Sequence, residues 1–222
     1  MSWFARRKRA PEGEPAVSRY VGADWKGLLN TNLSEARFVV FDTETSGLDV
    51  DQDDVLSLSG VGVEGGGLRV WDHLDLLFLR DDVGGEPSAR IHGILPRDLA
   101  DGRDERSACL AFLDFVKGAV LVGHHVDFDV AVMNRMTMDL FGLELVNPCI
   151  DTAHLFNRVT GAAGEVELAP PSLDAMSRRL GVSIASRHSA SGDAWATALA
   201  FIVLLRRAEK RGLMRVGDIA TS

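Results

Sequence analysis

One stretch, residues 37–48, constrains the fold of this chain more than any other. It reads Arg-Phe-Val-Val-Phe-Asp-Thr-Glu-Thr-Ser-Gly-Leu, an unbroken apolar run rich in β-branched and aromatic residues that ends in two carboxylates. Such a run predicts a strand that is buried on both faces of a sheet. Because residues i and i+2 of a strand point the same way, we expect Asp42 and Glu44 to lie side by side at its C-terminal end.

This carboxylate pair has two interpretations. Two like charges held close repel each other, and a divalent cation between them removes that repulsion. Mg²⁺ and Mn²⁺ prefer such oxygen ligands. The alternative is that Asp42 and Glu44 lie in a solvated turn, because Ser46 and Gly47 are common turn residues. The pair alone does not decide between the two, so the choice depends on the rest of the chain.

Length, charge and cysteine content limit the class of protein. A chain of 222 residues fits one α/β domain with a sizeable core. The net charge of −8 argues against a protein that coats long nucleic acid, but not against an enzyme that grips only a chain end. Cys109 and Cys149 stand in apolar surroundings without metal-ligand spacing, which predicts reduced core residues. Without a signal peptide or an apolar run of membrane-spanning length, we expect a cytoplasmic protein.

The composition divides the chain into three parts. Residues 1–35 form a predicted basic, flexible N-terminal extension, which begins with Trp3 and Phe4 and continues with the basic run at positions 6–9. The alternative is that this extension binds nucleic acid, a protein partner or anionic lipid. A short helix is predicted near residues 25–29. Residues 36–212 form the predicted main domain, and residues 213–222 a C-terminal tail.

Hydrophobic periodicity then predicts the order of the elements. Two further strands, at residues 55–63 and 68–79, are joined by a glycine-rich turn and should form an antiparallel hairpin. Strands at 119–124 and 149–152 and helices at 105–117, 127–141, 172–180 and 192–211 follow. In the last helix, the predicted apolar face comprises Trp195, Ala198, Leu199, Ile202 and Leu205. The fold class is therefore α/β, with a mixed sheet that is flanked by helices on both faces.

Two more acidic residues stand at predicted helix starts. Asp129 lies on the buried face in the first turn of helix 127–141, and Asp193 lies in the first turn of the last helix. His188 stands on the loop before that helix. If these elements converge with Asp42 and Glu44, the carboxylates can hold two divalent ions, and His188 can accept a proton from an attacking water.

Three segments carry a family resemblance. Residues 41–47, 123–129 and 188–194 resemble the three exonuclease motifs of the DEDDh (DnaQ-like) 3′–5′ exonucleases, a family that includes the proofreading epsilon subunit of bacterial DNA polymerase III. Residues 91–94 and 172–175 also resemble family segments. The resemblance covers about residues 37–208 and implies a ribonuclease H-like fold.

The resemblance implies a reaction and its residues. The chain would hydrolyse nucleic-acid 3′ ends, with DNA favoured, and release 5′-mononucleotides, an activity associated with DNA repair. Two Mg²⁺ or Mn²⁺ ions would be bound by the carboxylates of Asp42, Glu44, Asp129 and Asp193, and His188 would be the general base. These five residues are the predicted catalytic set.

The resemblance also implies a pocket for the terminal nucleotide. Its predicted lining comprises Ser46, Leu48, His92 and Phe128. Each residue has an ordinary alternative: Leu48 and Phe128 as core residues, Ser46 as a turn residue and His92 as a loop histidine.

Two departures from the family pattern concern the second motif and the chain end. His124-His125 replaces the usual His-Asn, and Asp127 adds a carboxylate that we expect to cap a helix; the alternative is that it faces the metals. Asp151 is likewise expected to be a helix N-cap rather than a ligand. Because the chain stops soon after the last predicted helix, at Ser222, we expect a free-standing exonuclease rather than a replicative subunit.

The sequence leaves other functions and partners open. One alternative is an RNA-trimming exonuclease or oligoribonuclease of the same superfamily. Another is a non-catalytic module that binds nucleic acid or a protein. The expected partner is a single-stranded or frayed 3′ end, with a protein partner at the N-terminal extension as a second prediction.

Overall fold

The computed structural model describes residues 13–80, 92–161, 169–184 and 186–221. These residues form five strands, β1 Arg37–Thr45, β2 Val55–Glu64, β3 Gly67–Leu77, β4 Val120–Gly123 and β5 Cys149–Asp151. They also form eight α-helices, α1 Pro15–Val21, α2 Trp25–Leu28, α3 Pro96–Leu99, α4 Glu105–Val116, α5 Asp127–Phe141, α6 Thr152–Thr160, α7 Leu173–Leu180 and α8 Ala190–Lys210. A 3-10 helix, Val216–Asp218, follows α8.

The strands form one mixed sheet in the order β3-β2-β1-β4-β5. Strand β1 pairs antiparallel with β2 and parallel with β4, while β2 and β3 form the predicted hairpin. Gly65 and Gly66, at the turn of this hairpin, have φ angles of 60° and 67°, which glycine adopts without strain. The predicted hairpin and mixed α/β sheet are therefore confirmed.

Alternate residues of β1 enter two separate cores. Val39 and Phe41 pack on one face of the sheet with residues of α4 and α5, such as Phe112. Phe38 and Val40 pack on the other face with residues of α8, such as Phe201. Helices therefore cover both faces, as predicted, and the C-terminal end of β1 emerges between them.

The structure corrects the predicted N-terminal extension from α1 onward. Residues 1–12, which contain the aromatic-basic segment, lie outside the described residues. Helices α1 and α2 are folded, with Val17, Tyr20 and Trp25 buried in the core. The Tyr20 hydroxyl donates to Asn147 Oδ1 at 2.5 Å and accepts from the Val146 backbone N–H at 2.8 Å. The prediction of flexibility is thus wrong for α1 and α2, because apolar surface and a buried hydroxyl attach them to the domain.

The last helix buries most of its predicted apolar face, with the exception of Leu199. Its core side includes Ala194, Ala198, Phe201 and Leu204, all buried, whereas Leu199 is 42% exposed. The helix also begins at Ala190, because the Ser189 hydroxyl accepts a hydrogen bond from the Gly192 N–H at 3.1 Å and caps it there. Of the predicted face, Ala198 and Leu205 are buried and Trp195 and Ile202 pack against the core, so the prediction is wrong for Leu199 alone.

The predicted C-terminal tail and the two predicted core cysteines are the remaining features of the fold. The residues after α8 are packed, with Val216 and Ile219 buried and the Thr221 N–H donating to the Cys149 carbonyl. Cys109 is buried, Cys149 is partly buried, and both are free thiols. Among the described residues, no helix is long and apolar enough to cross a membrane.

Candidate active site

Three carboxylates converge at the C-terminal end of β1. Asp42 and Glu44 alternate with the buried Phe41 and Thr43, so both point to the side of the sheet that α8 covers. Asp193, in the first turn of α8, is buried and reaches the same place. One carboxylate oxygen from each of Asp42, Glu44 and Asp193 lies within 4.8 Å of the others. We call these three residues the carboxylate cluster.

Asp129 lies beside this cluster but is hydrogen-bonded to β1. It is buried at the start of α5, where Oδ1 accepts from the Thr43 N–H at 2.8 Å and from the Thr43 hydroxyl at 2.6 Å. These bonds fix the side chain against the strand that carries Asp42 and Glu44. The structure thus brings all four predicted carboxylates to one end of the sheet, with Asp129 in a different setting from the other three.

Burial and mutual repulsion make ionisation of these groups unfavourable. Burial raises the pKa of Asp42 well above its ordinary range, and the neighbouring carboxylates raise it further. Burial and the charge of Asp193 raise the pKa of Glu44 to about 7. Burial also raises the pKa of Asp129 to about 7, although the hydrogen bonds from Thr43 oppose this shift. A site that disfavours its own negative charge in this way gains free energy when it binds a cation.

One residue of this site was missed by sequence reasoning. The Arg187 Nη1 donates to Asp193 Oδ2, and its Nε donates to Asp174 Oδ1 at 2.9 Å. The guanidinium therefore joins α7 to the carboxylate cluster. The pairing with Asp174 depends on how α7 packs against the loop before α8, and no periodicity or motif in the sequence reports that contact.

His188 follows Arg187 on the loop that leads into α8. Its side chain is exposed, and its φ angle of 59° is in the left-handed region, which is uncommon for a residue other than glycine. The predicted loop position, directly before the helix that carries Asp193, is present in the structure.

The four residues of the predicted nucleotide pocket have different environments. Leu48 is 87% exposed, so the alternative that it belongs to the core is wrong. Phe128 is partly buried and packs against the core. The Ser46 hydroxyl donates to Asp53 Oδ1 at 2.8 Å, which holds the turn after β1. His92 Nδ1 accepts from the Ile94 N–H at 3.1 Å, whereas its Nε2 is buried without a partner.

The segment around the second motif corrects one helix cap and supports another. Asp127 is exposed and is the first residue of α5, so the prediction that it caps this helix is wrong; Val126 holds the cap position. The Val126 N–H donates to Asp151 Oδ2 at 3.1 Å, and Asp151 Oδ1 accepts from the Ala153 and His154 N–H groups. Asp151 is therefore the N-cap of α6, as predicted.

The two adjacent histidines of this motif differ in exposure. His124 Nδ1 lies 3.0 Å from the Thr152 hydroxyl, and burial, together with the charge of His125, lowers the pKa of His124 to about 4. His125 is exposed and has a φ angle of 60°. His124 is therefore a neutral, structural histidine at neutral pH.

A cavity of about 490 Å³ lies over β2 and β3, next to the strand that carries Asp42 and Glu44. Its floor includes Ser57 and Ser59 of β2, which pair across the sheet with Glu44 and Asp42. Its other walls are formed by β3, by the segment at Ile94, by residues 101–103 and by the start of α8. The described residues that line this cavity include the sheet partners of Asp42 and Glu44, but not the carboxylates themselves.

Comparison with protein families supplies the decisive observation. The model of the exonuclease family RNase_T matches residues 39–201, a range that contains all four carboxylates and His188. The chain belongs to this exonuclease family. The predicted enzyme class and the DnaQ-like resemblance are thereby confirmed.

Relatives of this exonuclease-family chain include proteins named after the epsilon subunit of DNA polymerase III. It is 36% identical over 197 residues to a DNA polymerase III subunit epsilon-like protein of Rhodobacter capsulatus, a match that spans 87% of this chain and 27% of the relative. It is 29% identical over 177 residues to the DNA polymerase III subunit epsilon of Aquifex aeolicus, a match that spans 80% of this chain and 84% of that one. The chain thus spans about a quarter of the length of the Rhodobacter relative.

Solved structures support the fold. Exonuclease I of E. coli, in complex with a dT13 oligonucleotide, has a TM-score of 0.66 and 16% identity, covering 80% of this chain and 43% of that one. The predicted ribonuclease H-like arrangement of sheet and helices is confirmed.

Proposed function

We propose that this chain is a metal-dependent exonuclease that removes nucleotides from 3′ ends, DNA in preference to RNA, and releases 5′-mononucleotides. The observation that carries the proposal is the carboxylate cluster at the C-terminal end of β1. Asp42 and Glu44 of β1 and the distant Asp193 of α8 each place a carboxylate oxygen within 4.8 Å of the others. Negative charges at this separation repel each other, which is unfavourable in a folded protein unless a bound ligand compensates for the repulsion.

The residues fit a divalent, oxygen-preferring cation. Asp42, Glu44 and Asp193 supply three carboxylates, and Asp193 Oδ1 is buried without a hydrogen-bond partner. Mg²⁺ or Mn²⁺ suits such a donor set. Asp129 is the proposed fourth ligand through Oδ2, since both hydrogen bonds from Thr43 reach Oδ1. Two bound ions would activate the attacking water and stabilise the charge on the leaving 3′ oxygen.

His188 is the proposed general base. Its exposed position on the loop before α8 allows the imidazole to approach a substrate bound beside Asp193. A neutral imidazole accepts a proton near neutral pH, which is the task of a base that deprotonates water.

Leu48 and His92 are proposed to hold the terminal nucleotide. Leu48 offers an exposed apolar surface to a base. His92 accepts a backbone hydrogen bond at Nδ1, so its neutral form carries the proton on Nε2. Nε2 is buried without a partner among the described residues, and it is the donor proposed for a nucleotide oxygen. Ser46 and Phe128 are proposed to complete this pocket.

The preference for DNA is supported by the ligands of two structural neighbours. The E. coli exonuclease I structure contains a DNA oligonucleotide, and exonuclease X, with a TM-score of 0.57, was solved with duplex DNA that has a 5′ overhang. The net charge of −8 is compatible with binding that involves only the end of the DNA strand.

A time course on 5′-labelled strands tests the proposal. Single-stranded DNA, frayed duplex DNA and RNA of the same sequence are incubated with Mg²⁺, Mn²⁺ or chelator, with Asp193→Asn as the matched inactive variant. Stepwise shortening of DNA that needs both the metal and Asp193 is the expected result. Immediate release of the labelled nucleotide would show that digestion starts at the 5′ end and would contradict the proposal. Faster shortening of RNA would favour the RNA-trimming alternative. Binding in chelator without any cleavage would favour a non-catalytic module.

A further inference from the structure

Arg187 is held between two carboxylates that belong to different helices. Its Nε contacts Asp174 of α7 at 2.9 Å, and its Nη1 contacts Asp193 of α8. The Arg187 side chain is 27% exposed, and that of Asp193 is 10% exposed, so solvent screens this second pair only in part. Asp174, in contrast, is 47% exposed.

The position of Arg187 matters because Asp193 belongs to the carboxylate cluster. One oxygen of Asp193, Oδ2, accepts the hydrogen bond from Arg187, while Oδ1 is buried without a partner. Among the described residues, Arg187 is the cation that offsets the negative charge felt by Asp42 and Glu44. A divalent ion bound by Asp193, even through the free Oδ1, would lie close to the guanidinium on Oδ2, and the two positive charges would repel each other.

We propose that Arg187 is an internal counterion that stabilises the metal-free site and competes with the divalent cation for Asp193. This inference rests on the proposed metal-dependent function. When the cation binds, Arg187 releases Asp193 and keeps its ion pair with Asp174, which lies on the opposite, half-exposed side. The apparent metal affinity of the chain is then lower than that of the bare carboxylates, because only molecules in which Arg187 has released Asp193 are competent to bind.

Asp174 has a defined part in this exchange. It gives the displaced guanidinium a partner, so that the positive charge of Arg187 is not left unpaired beside a bound cation. Removing the Asp174 charge should therefore weaken metal binding, whereas removing the Arg187 charge should strengthen it. Opposite changes in metal affinity for the two partners of one ion pair distinguish this role from a purely structural one. Loss of a structural salt bridge would change the affinity of both variants in the same direction.

The experiment measures Mn²⁺ binding to the whole chain without nucleic acid, from the electron paramagnetic resonance signal of free Mn²⁺. Arg187→Gln should bind Mn²⁺ about tenfold more tightly than wild type and should melt at a lower temperature in chelator. Asp174→Asn should bind it more weakly. Arg187→Lys, which keeps the charge, should stay close to wild type. Arg178→Gln, on the exposed side of α7, removes the same charge elsewhere and should leave the affinity unchanged.

The outcomes distinguish this inference from the proposed function. If wild type binds Mn²⁺ and a folded Arg187→Gln variant binds it equally or more weakly, the competition is refuted while the metal site stands. If only Arg187→Gln binds Mn²⁺, the competition is supported in its strongest form. If neither binds Mn²⁺ and the gel assay shows no metal dependence, both proposals are overturned. Circular dichroism of each variant establishes that it is folded.

Discussion

Asp42 of β1 and Asp193 of α8 are far apart in the sequence, yet each places a carboxylate oxygen within 4.8 Å of the other. Their approach is possible because Phe38 and Val40 of the same strand pack against α8 and fix its first turn over the end of the strand. The proposed chemistry depends on this contact between a strand end and a helix start.

Asp42→Asn should abolish turnover and stabilise the metal-free protein. The substitution removes a buried charge that repels Glu44 and Asp193, so we expect a gain of about 1 kcal/mol in the free energy of unfolding. Denaturant unfolding in chelator measures this gain, and the rise in melting temperature on adding Mn²⁺ should disappear. Asp139→Asn, on the exposed side of α5, is the matched control and should change neither property. A less stable Asp42→Asn protein in chelator would contradict the repulsion.

Glu44 should make the stability of the metal-free protein fall as pH rises from about 4.5 to about 7. Its pKa is about 7 in the folded protein and 4.5 as an ordinary glutamate, so the folded state retains a proton that the unfolded state has lost. The measurement is the difference in unfolding free energy between wild type and Glu44→Gln at several pH values in chelator. The comparison with Glu44→Gln is needed because His124, whose pKa is lowered, acts in the opposite direction. A difference that does not change over this range would contradict the prediction.

His188→Ala should reduce the turnover number by about 10²–10⁴-fold while metal binding is retained, because a general base contacts water rather than the cation. Single-turnover assays and Mn²⁺ titrations of the same protein preparation measure the two properties. His154→Ala removes another exposed histidine, on α6, and should have no effect on either. An equal loss of metal affinity in His188→Ala would identify His188 as a ligand instead.

Leu48→Ala should weaken substrate binding without loss of stability. The side chain is 87% exposed, so its truncation should change the free energy of unfolding by no more than about 0.5 kcal/mol. The KM for single-stranded DNA should rise, because a base loses an apolar contact. Leu199→Ala on α8, at a residue that is 42% exposed, serves as the control. An unchanged KM would remove Leu48 from the proposed pocket.

Tyr20→Phe should destabilise the domain by about 1–3 kcal/mol, since it leaves the buried Asn147 side chain and the Val146 N–H without their partner. Thermal unfolding measures the loss. The rate at which the Tyr20→Phe protein shortens single-stranded DNA, measured well below its melting temperature, should equal that of wild type. Unchanged stability would mean that α1 is attached by its apolar contacts alone.

The sequence alone predicts the elements whose formation depends on short, continuous segments. The apolar run of β1, the glycine turn after β2 and the spacing of Val132, Met133 and Met136 in α5 are properties of short segments, and each element formed close to where it was predicted. The end of β1 and the start of α8 could also be identified, because acidic residues at such positions are unusual without a ligand.

The features that the sequence did not reveal depend on contacts between distant segments. Tyr20 bonds to Val146 and Asn147, and Arg187 bonds to Asp174; neither pair is visible as a pattern in the chain. The apolar face of α8 was predicted correctly except at Leu199, which is 42% exposed although Leu205 of the same predicted face is buried. Hydrophobicity alone does not distinguish Leu199 from the leucines of the same helix that face the core.

Identification of the released product tests the central claim most directly. The protein is incubated with single-stranded DNA and Mn²⁺ in water enriched in heavy oxygen, and the products are analysed by mass spectrometry, with Asp193→Asn as the control. The account predicts nucleoside 5′-monophosphates that carry one heavy oxygen on the phosphate and come first from the 3′ end, and no product from Asp193→Asn. Nucleoside 3′-monophosphates, products taken first from the 5′ end, or equal activity of the Asp193→Asn variant would contradict it.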